Sequence, residues 1–87
     1  MCGIVAAVTT GGNVIPDVLH GLRTLEYRGY DSAGIAAPAE DSLHLRRQVG
    51  KISALEQELA NNALPDTPTA VAHTRWATHG PPATRNA

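Results

Sequence analysis

Ser42-Leu43-His44-Leu45-Arg46-Arg47-Gln48-Val49 alternates along its length: Leu43, Leu45 and Val49 fall on one side and His44, Arg46 and Gln48 on the other. Side chains of a β-strand alternate between faces, so the spacing predicts an antiparallel strand with one face on a core and one in water. Working outward, Ser32–Ala37 reads as a neighbouring strand of small residues, and Pro38–Asp41 as the turn between the two. A helix is predicted from about Lys51 to Asn61, with Ser53 and Glu56 in capping-box spacing and Leu55 and Leu59 as a narrow apolar face. Leu64-Pro65-Asp66-Thr67-Pro68 forms a stiff loop, and Thr69–Thr74 a last strand.

Toward the N-terminus, Ile4-Val5-Ala6-Ala7-Val8 is an unbroken apolar run closed by Thr9-Thr10-Gly11-Gly12, as expected of a central strand buried on both faces with Cys2 at its entrance. From Asn13, a possible cap, Val14, Val18, Leu22 and Leu25 take helical spacing, as do Ile15 and Leu19, and Pro16 is tolerated in the first turn. Gly21 weakens that helix by about 1 kcal/mol relative to Ala and marks close packing against a neighbour. The helix is expected to end near Tyr27-Arg28-Gly29, with Gly29 as a left-handed cap. The order β-α-β-β-α-β predicts an α+β domain in which helices cover one face of a mostly antiparallel sheet; a ferredoxin-like sandwich has the same order.

The 87 residues suffice for one small domain, which buries about 60–65% of its unfolded surface. Hydrophobic residues make up 43% and charged residues 17%, excluding a disordered composition. A formal charge of -1 and no run of basic residues leave no footprint for nucleic acid or an anionic membrane. No segment approaches the ~20 apolar residues that span a bilayer. The single cysteine forms no internal disulfide, and neither a secretory signal nor a need for an oxidising compartment is present, so the expected location is cytoplasmic.

That cysteine is the main chemical candidate. Removal of Met1 would leave Cys2 with a thiol and a free α-amine, whose unperturbed pKa values near ~8.5 and ~7.7–8.0 let one residue hold both nucleophile and base. The alternative is a small hydrophobe in the first strand. His73-Thr74-Arg75-Trp76-Ala77-Thr78-His79-Gly80 is the second candidate. Arg75 suits bidentate binding of a carboxylate, Trp76 can exclude water, and Thr78 and His79 can hydrogen-bond a polar ligand. Alternatively, Trp76 is the core anchor and Arg75 a surface residue packing its stem. His73 and His79 have no partners at metal-ligand spacing, so neither metal nor cofactor is expected. His20 and His44 read as solvated or structurally bonded, and Tyr27–Gly34 as a helix-to-strand turn with Asp31 bonding nearby amides.

Three stretches together resemble the class II glutamine amidotransferases: Met1-Cys2-Gly3-Ile4-Val5, Leu25-Glu26-Tyr27-Arg28-Gly29-Tyr30-Asp31-Ser32-Ala33-Gly34, and Ala72-His73-Thr74-Arg75-Trp76-Ala77-Thr78-His79-Gly80. Arg46-Arg47 followed by Gly50-Lys51 adds a weaker likeness, and the wording points to the sugar-phosphate branch. The resemblance implies an N-terminal-nucleophile hydrolase fold, four layers in αββα order, of which residues 1–87 are the N-terminal part. It implies that Cys2 attacks the side-chain amide of glutamine, that Arg75 holds the α-carboxylate, that Trp76, Thr78 and His79 belong to the closing loop, and that Arg28 supports the nucleophile. It further implies a homodimeric whole enzyme that delivers ammonia to fructose 6-phosphate through an isomerase domain outside these residues. The family's Asn-Gly oxyanion pair and later aspartate do not occur in the 87 residues, so these residues alone are expected to be inactive. Another class II amidotransferase, or a small non-catalytic interaction module, are the alternatives.

Overall fold

The structure is a computed structural model that describes residues 2–26, 30–76 and 80–87. Strand β1 (Gly3–Val8) leads to helix α1 (Ile15–Thr24), the hairpin β2 (Ser32–Ala39) and β3 (Ser42–Val49), helix α2 (Ile52–Asn61) and strand β4 (Thr69–Arg75). A short 3-10 turn, Thr84–Asn86, follows. The strands form one sheet in the order β1-β4-β2-β3, and every pair is antiparallel. The predicted element order holds. The ferredoxin-like alternative drops out on strand order, since its split βαβ units put β1 and β3 at the centre of the sheet, whereas here β4 and β2 are central.

Directly paired residues share a face, so the register sorts the side chains. Val5 and Ala7, Ala70 and Ala72, and Ala33, Ile35 and Ala37 line the face under the helices. Alanines dominate the two central strands there, so the helices supply the bulk: Val14, Ile15, Val18 and Leu22 from the α1 region, Ile52 and Leu55 from α2. Each such aliphatic side chain, fully buried, contributes about 1.5–3 kcal/mol. Gly21 lets α1 approach β1, since a Cβ there would lie 2.7 Å from Cγ1 of Val5. Thr67, read from sequence only as loop, is a buried hub. Its hydroxyl donates to the Pro38 carbonyl at 2.8 Å, and its amide donates to Oδ1 of Asn13, which also accepts from the Ile15 amide.

Several expectations are corrected. β1 is an edge strand, not a central one: Ile4 and Val8 are 75% and 76% exposed, and only the Val5–Ala7 side is covered. On β3 the alternation is present with its sense inverted. Leu43, Leu45 and Val49 face away from the helices and are exposed, while His44, Arg46 and Gln48 lie on the helix side. Those polar groups find partners at the sheet margin. Arg46 donates through Nε to the Asn62 carbonyl at 2.8 Å and through Nη2 to the Ala63 carbonyl at 3.3 Å, which suits a cation at a helix C-terminus. Gln48 donates to Glu58 at 3.4 Å, and Nε2 of His44 lies 3.2 Å from the Ala39 carbonyl.

The capping box of α2 does not form. Lys51 is the N-cap without a side-chain bond; the Ile52 amide donates instead to the phenol oxygen of Tyr30 at 2.6 Å, and Glu56 pairs with Arg23 at 2.6 Å. The hairpin turn shrinks to Glu40 and Asp41, with φ of 54° and 63°, and Pro38 stays in β2 past the last β4 pair, Ala36–Val71, where a missing N–H breaks no rung. Helix α1 ends at Thr24, earlier than expected; the predicted cap at Gly29 lies outside the described residues. No helix is long and apolar enough to cross a membrane among the described residues.

Candidate active site

Of the candidates, Cys2, Arg75 and Trp76 come together at one end of the sheet, with Arg75 on the face turned away from the helices. Gly3 pairs with Thr74, so Cys2 comes beside Arg75 at the mouth of the β1–β4 ladder. The Cys2 thiol is exposed, and its sulfur accepts a hydrogen bond from the Trp76 amide at 3.4 Å. Gly3 is required by a close approach: a Cβ would come 2.7 Å from Cδ1 of Leu25 and 3.3 Å from Oγ1 of Thr74. Strand β1 is thereby seated tightly on its neighbours.

Arg75 donates from Nη2 to the Gly80 carbonyl at 3.3 Å, where Gly80 takes a φ of +80°. The end of β4 is tied down on its other side. The Asp31 amide donates to the Arg75 carbonyl at 2.7 Å, and the Gly50 amide to the Asp31 carbonyl at 2.9 Å. Tyr30, next to Asp31, accepts from the Ile52 amide and donates to Glu26 at 3.0 Å. Burial pushes its phenol pKa up, the Ile52 amide pulls it down, and Glu26 adds to the rise. The Tyr-Asp pair thus fastens the site end of β4 to the start of α2. Trp76 is 49% exposed, which rules out the core-anchor reading.

Two residues were missed from sequence. Ser32 pairs with Arg75, is 0% exposed, and its Oγ has no hydrogen-bond partner among the described residues. His73 crosses over Gly34 beside Arg47, since a Cβ on Gly34 would lie 2.8 Å from its Cε1 and 3.1 Å from Cγ of Arg47. Burial, then the charges of Arg47 and Arg75, lower the His73 pKa from its ordinary value, which favours the neutral ring. The only sequence signal for either was membership in the motif strings. Arg28, Thr78 and His79 lie outside the described residues. Among the described residues no three His, Cys, Asp or Glu side chains group as a metal site. A shallow depression over Pro38–Leu43 sits at the far end of the sheet and contains none of the candidates.

An exposed thiol at a strand end, with a guanidinium on the adjacent strand, can attack an electrophilic carbonyl while the cation holds a carboxylate of the same molecule. No family model matches the chain. Its backbone is similar to a glutamine amidotransferase of known structure, the glutamine phosphoribosylpyrophosphate amidotransferase from B. subtilis, with a TM-score of 0.69 and 25% identity over 88% of this chain and 17% of that one. In sequence the chain matches, over its whole length, the N-terminal stretch of bacterial glutamine–fructose-6-phosphate aminotransferases (isomerizing): 50% identity over 95 residues in Corynebacterium diphtheriae and 54% over 88 in Pseudomonas syringae pv. tomato. The chain spans about 14–15% of the length of these curated relatives.

Proposed function

We propose that residues 1–87 are the nucleophile-bearing N-terminal part of a class II glutaminase domain of the glutamine–fructose-6-phosphate aminotransferase kind. The observation that carries this reading is the pairing of β1 with β4, which sets Cys2 next to Arg75 at one end of the sheet. After loss of Met1, the Cys2 sulfur attacks the side-chain amide carbon of glutamine and the α-amine takes the thiol proton. The tetrahedral intermediate expels ammonia, which carries that proton away, and leaves a glutamyl thioester. Water then cleaves the C–S bond, giving glutamate and the free thiol. Arg75 holds the substrate carboxylate, Trp76, Thr78 and His79 close over it, and Arg28 supports the nucleophile.

The reading extends to a second sheet packed on the open face, completing αββα layers, and in the whole protein to a homodimer that passes ammonia to fructose 6-phosphate. The exposed Ile4, Val8, Leu43, Leu45 and Val71 support the second sheet. Removing a single oxyanion donor costs about 10²–10³ in rate, and the Asn-Gly pair is outside these residues, so the chain alone is expected to release no glutamate. The test mixes the chain with the ~150 residues that follow the matched stretch in the C. diphtheriae relative, one domain's length. Glutamate release that disappears with Cys2→Ala is the expected result. Release that persists in Cys2→Ala, or its absence in a complex that does form, would count against the reading.

A further inference from the structure

Arg75 is set against the segment that follows β4. Its Nη2 donates to the Gly80 carbonyl at 3.3 Å, and Gly80 holds a φ of +80°. Asn86 packs on the same glycine. A Cβ on Gly80 would meet Nδ2 of Asn86 at 3.2 Å, Cγ of Asn86 at 3.5 Å and Nη2 of Arg75 at 3.7 Å. The Asn86 side chain also donates from Nδ2 to the Pro81 carbonyl at 3.0 Å, so it clasps the residue after Gly80 while covering Gly80 itself. Asn86 is fixed in turn by the 3-10 turn Thr84–Asn86, in which its own amide donates to the Ala83 carbonyl at 2.9 Å. That turn packs against β3, where Nη1 of Arg47 donates to the Ala87 carbonyl at 3.5 Å.

A guanidinium is planar and carries its N–H donors in a rigid fork, so a bond to one carbonyl turns the whole fork. The Gly80 carbonyl therefore sets how Arg75 presents its charge toward Cys2 on the neighbouring strand. Glycine admits a φ of +80° without strain but imposes no conformation of its own, so the direction of that carbonyl has to be held from outside. We infer that Asn86 is a positioning residue for Arg75, aiming the guanidinium through Gly80 and Pro81 at a carboxylate bound beside the Cys2 thiol. The inference rests on the carboxylate-clamp part of the reading above and adds the residue that orients the clamp.

The test uses the full 87-residue chain and two alkylating probes of Cys2, its single thiol: iodoacetate, which carries a carboxylate, and iodoacetamide, its neutral counterpart. In both reactions the thiolate displaces iodide, so a change in thiol exposure or acidity moves both rates together. The ratio of the rates, followed by intact mass, reports how well Arg75 meets a carboxylate next to the sulfur. In Asn86→Ala the ratio should fall by about threefold, the scale of an exposed ion pair, with the iodoacetamide rate unchanged. Asn86→Gln keeps the amide donor and should stay closer to the parent than to Asn86→Ala, and circular dichroism of each variant should match the parent. An unchanged ratio in Asn86→Ala, or rates that fall together, overturns the inference. Arg75→Met separates the claims. If it lowers the ratio while Asn86→Ala does not, this inference alone falls; if it leaves the ratio unchanged, there is no clamp to position and both fall. A ratio sensitive to both residues, in a chain whose mixture with the downstream segment forms a complex but releases no glutamate, sinks the glutaminase reading alone.

Discussion

Gly21 offers the sharpest check on how α1 sits against the sheet. In an exposed helix Gly21→Ala would stabilise by about 0.8–1.0 kcal/mol, because alanine loses less backbone entropy on folding. Here the new Cβ would lie 2.7 Å from Cγ1 and 3.3 Å from Cγ2 of Val5, distances that require β1 or α1 to move. Val5 is β-branched and cannot swing both methyls clear. Overpacking of this kind costs about 1–3 kcal/mol, so the net effect is a destabilisation of about 1 kcal/mol, or roughly 4–8 °C in Tm for a domain of this size. In a Val5→Ala background the obstructing methyls are gone, and Gly21→Ala should stabilise by up to about 1 kcal/mol. The two changes are then coupled by about 2 kcal/mol, readable from urea denaturation of the four proteins of the cycle. Stabilisation by Gly21→Ala in the parent, or a coupling below about 0.5 kcal/mol, would refute the packing of α1 on β1.

Other outcomes follow from the same geometry. Replacing Glu40-Asp41, both at positive φ in a two-residue hairpin loop, by Asn-Gly should raise stability by about 1 kcal/mol in the same denaturation assay. Tyr30→Phe removes the acceptor of the Ile52 amide at the start of α2 and should cost about 1–2 kcal/mol, with faster hydrogen exchange at that amide. His73 has a folded pKa below its unfolded 6.5, so its contribution is present in full above pH 6.5 and is lost as pH falls from 6.5 through the folded value. His73→Gln should flatten that part of the stability–pH curve, and an NMR titration of the ring should show a midpoint below 6.5. Intact-mass measurement of chain made in cells should find Met1 removed; its retention would count against Cys2 as nucleophile.

Much of the fold was legible because its signals are local. The helical spacing of Val14, Val18 and Leu22, the alternation of β3 and the small residues of β2 each depend on the chain's own period, and all four strands and α2 lie where that period puts them, while α1 stops at Thr24, short of its expected end near Tyr27. The close approach at Gly21 was also readable, since a glycine inside an apolar helix needs a packing reason. The cap of α2 was not, because Tyr30 reaches it from 22 residues upstream and displaces the local Ser53–Glu56 pair. Of the site, Cys2, Arg75 and Trp76 could be picked out by residue type and motif. Ser32 and His73 could not, because what sets them apart is burial beside Arg75 and Arg47.

By itself the sequence determined which residues share a face: a period of two puts Leu43, Leu45 and Val49 together wherever the strand is. Only the tertiary structure decided which face meets the helices. Strand order supplies the reason. Inserting β4 between β1 and β2 leaves β1 and β3 as edges, and the helices settle on the alanine-lined side of the central pair, where backbones can come close. The same insertion pairs Gly3 with Thr74, so a cysteine at one end of the chain and an arginine more than 70 residues later become neighbours.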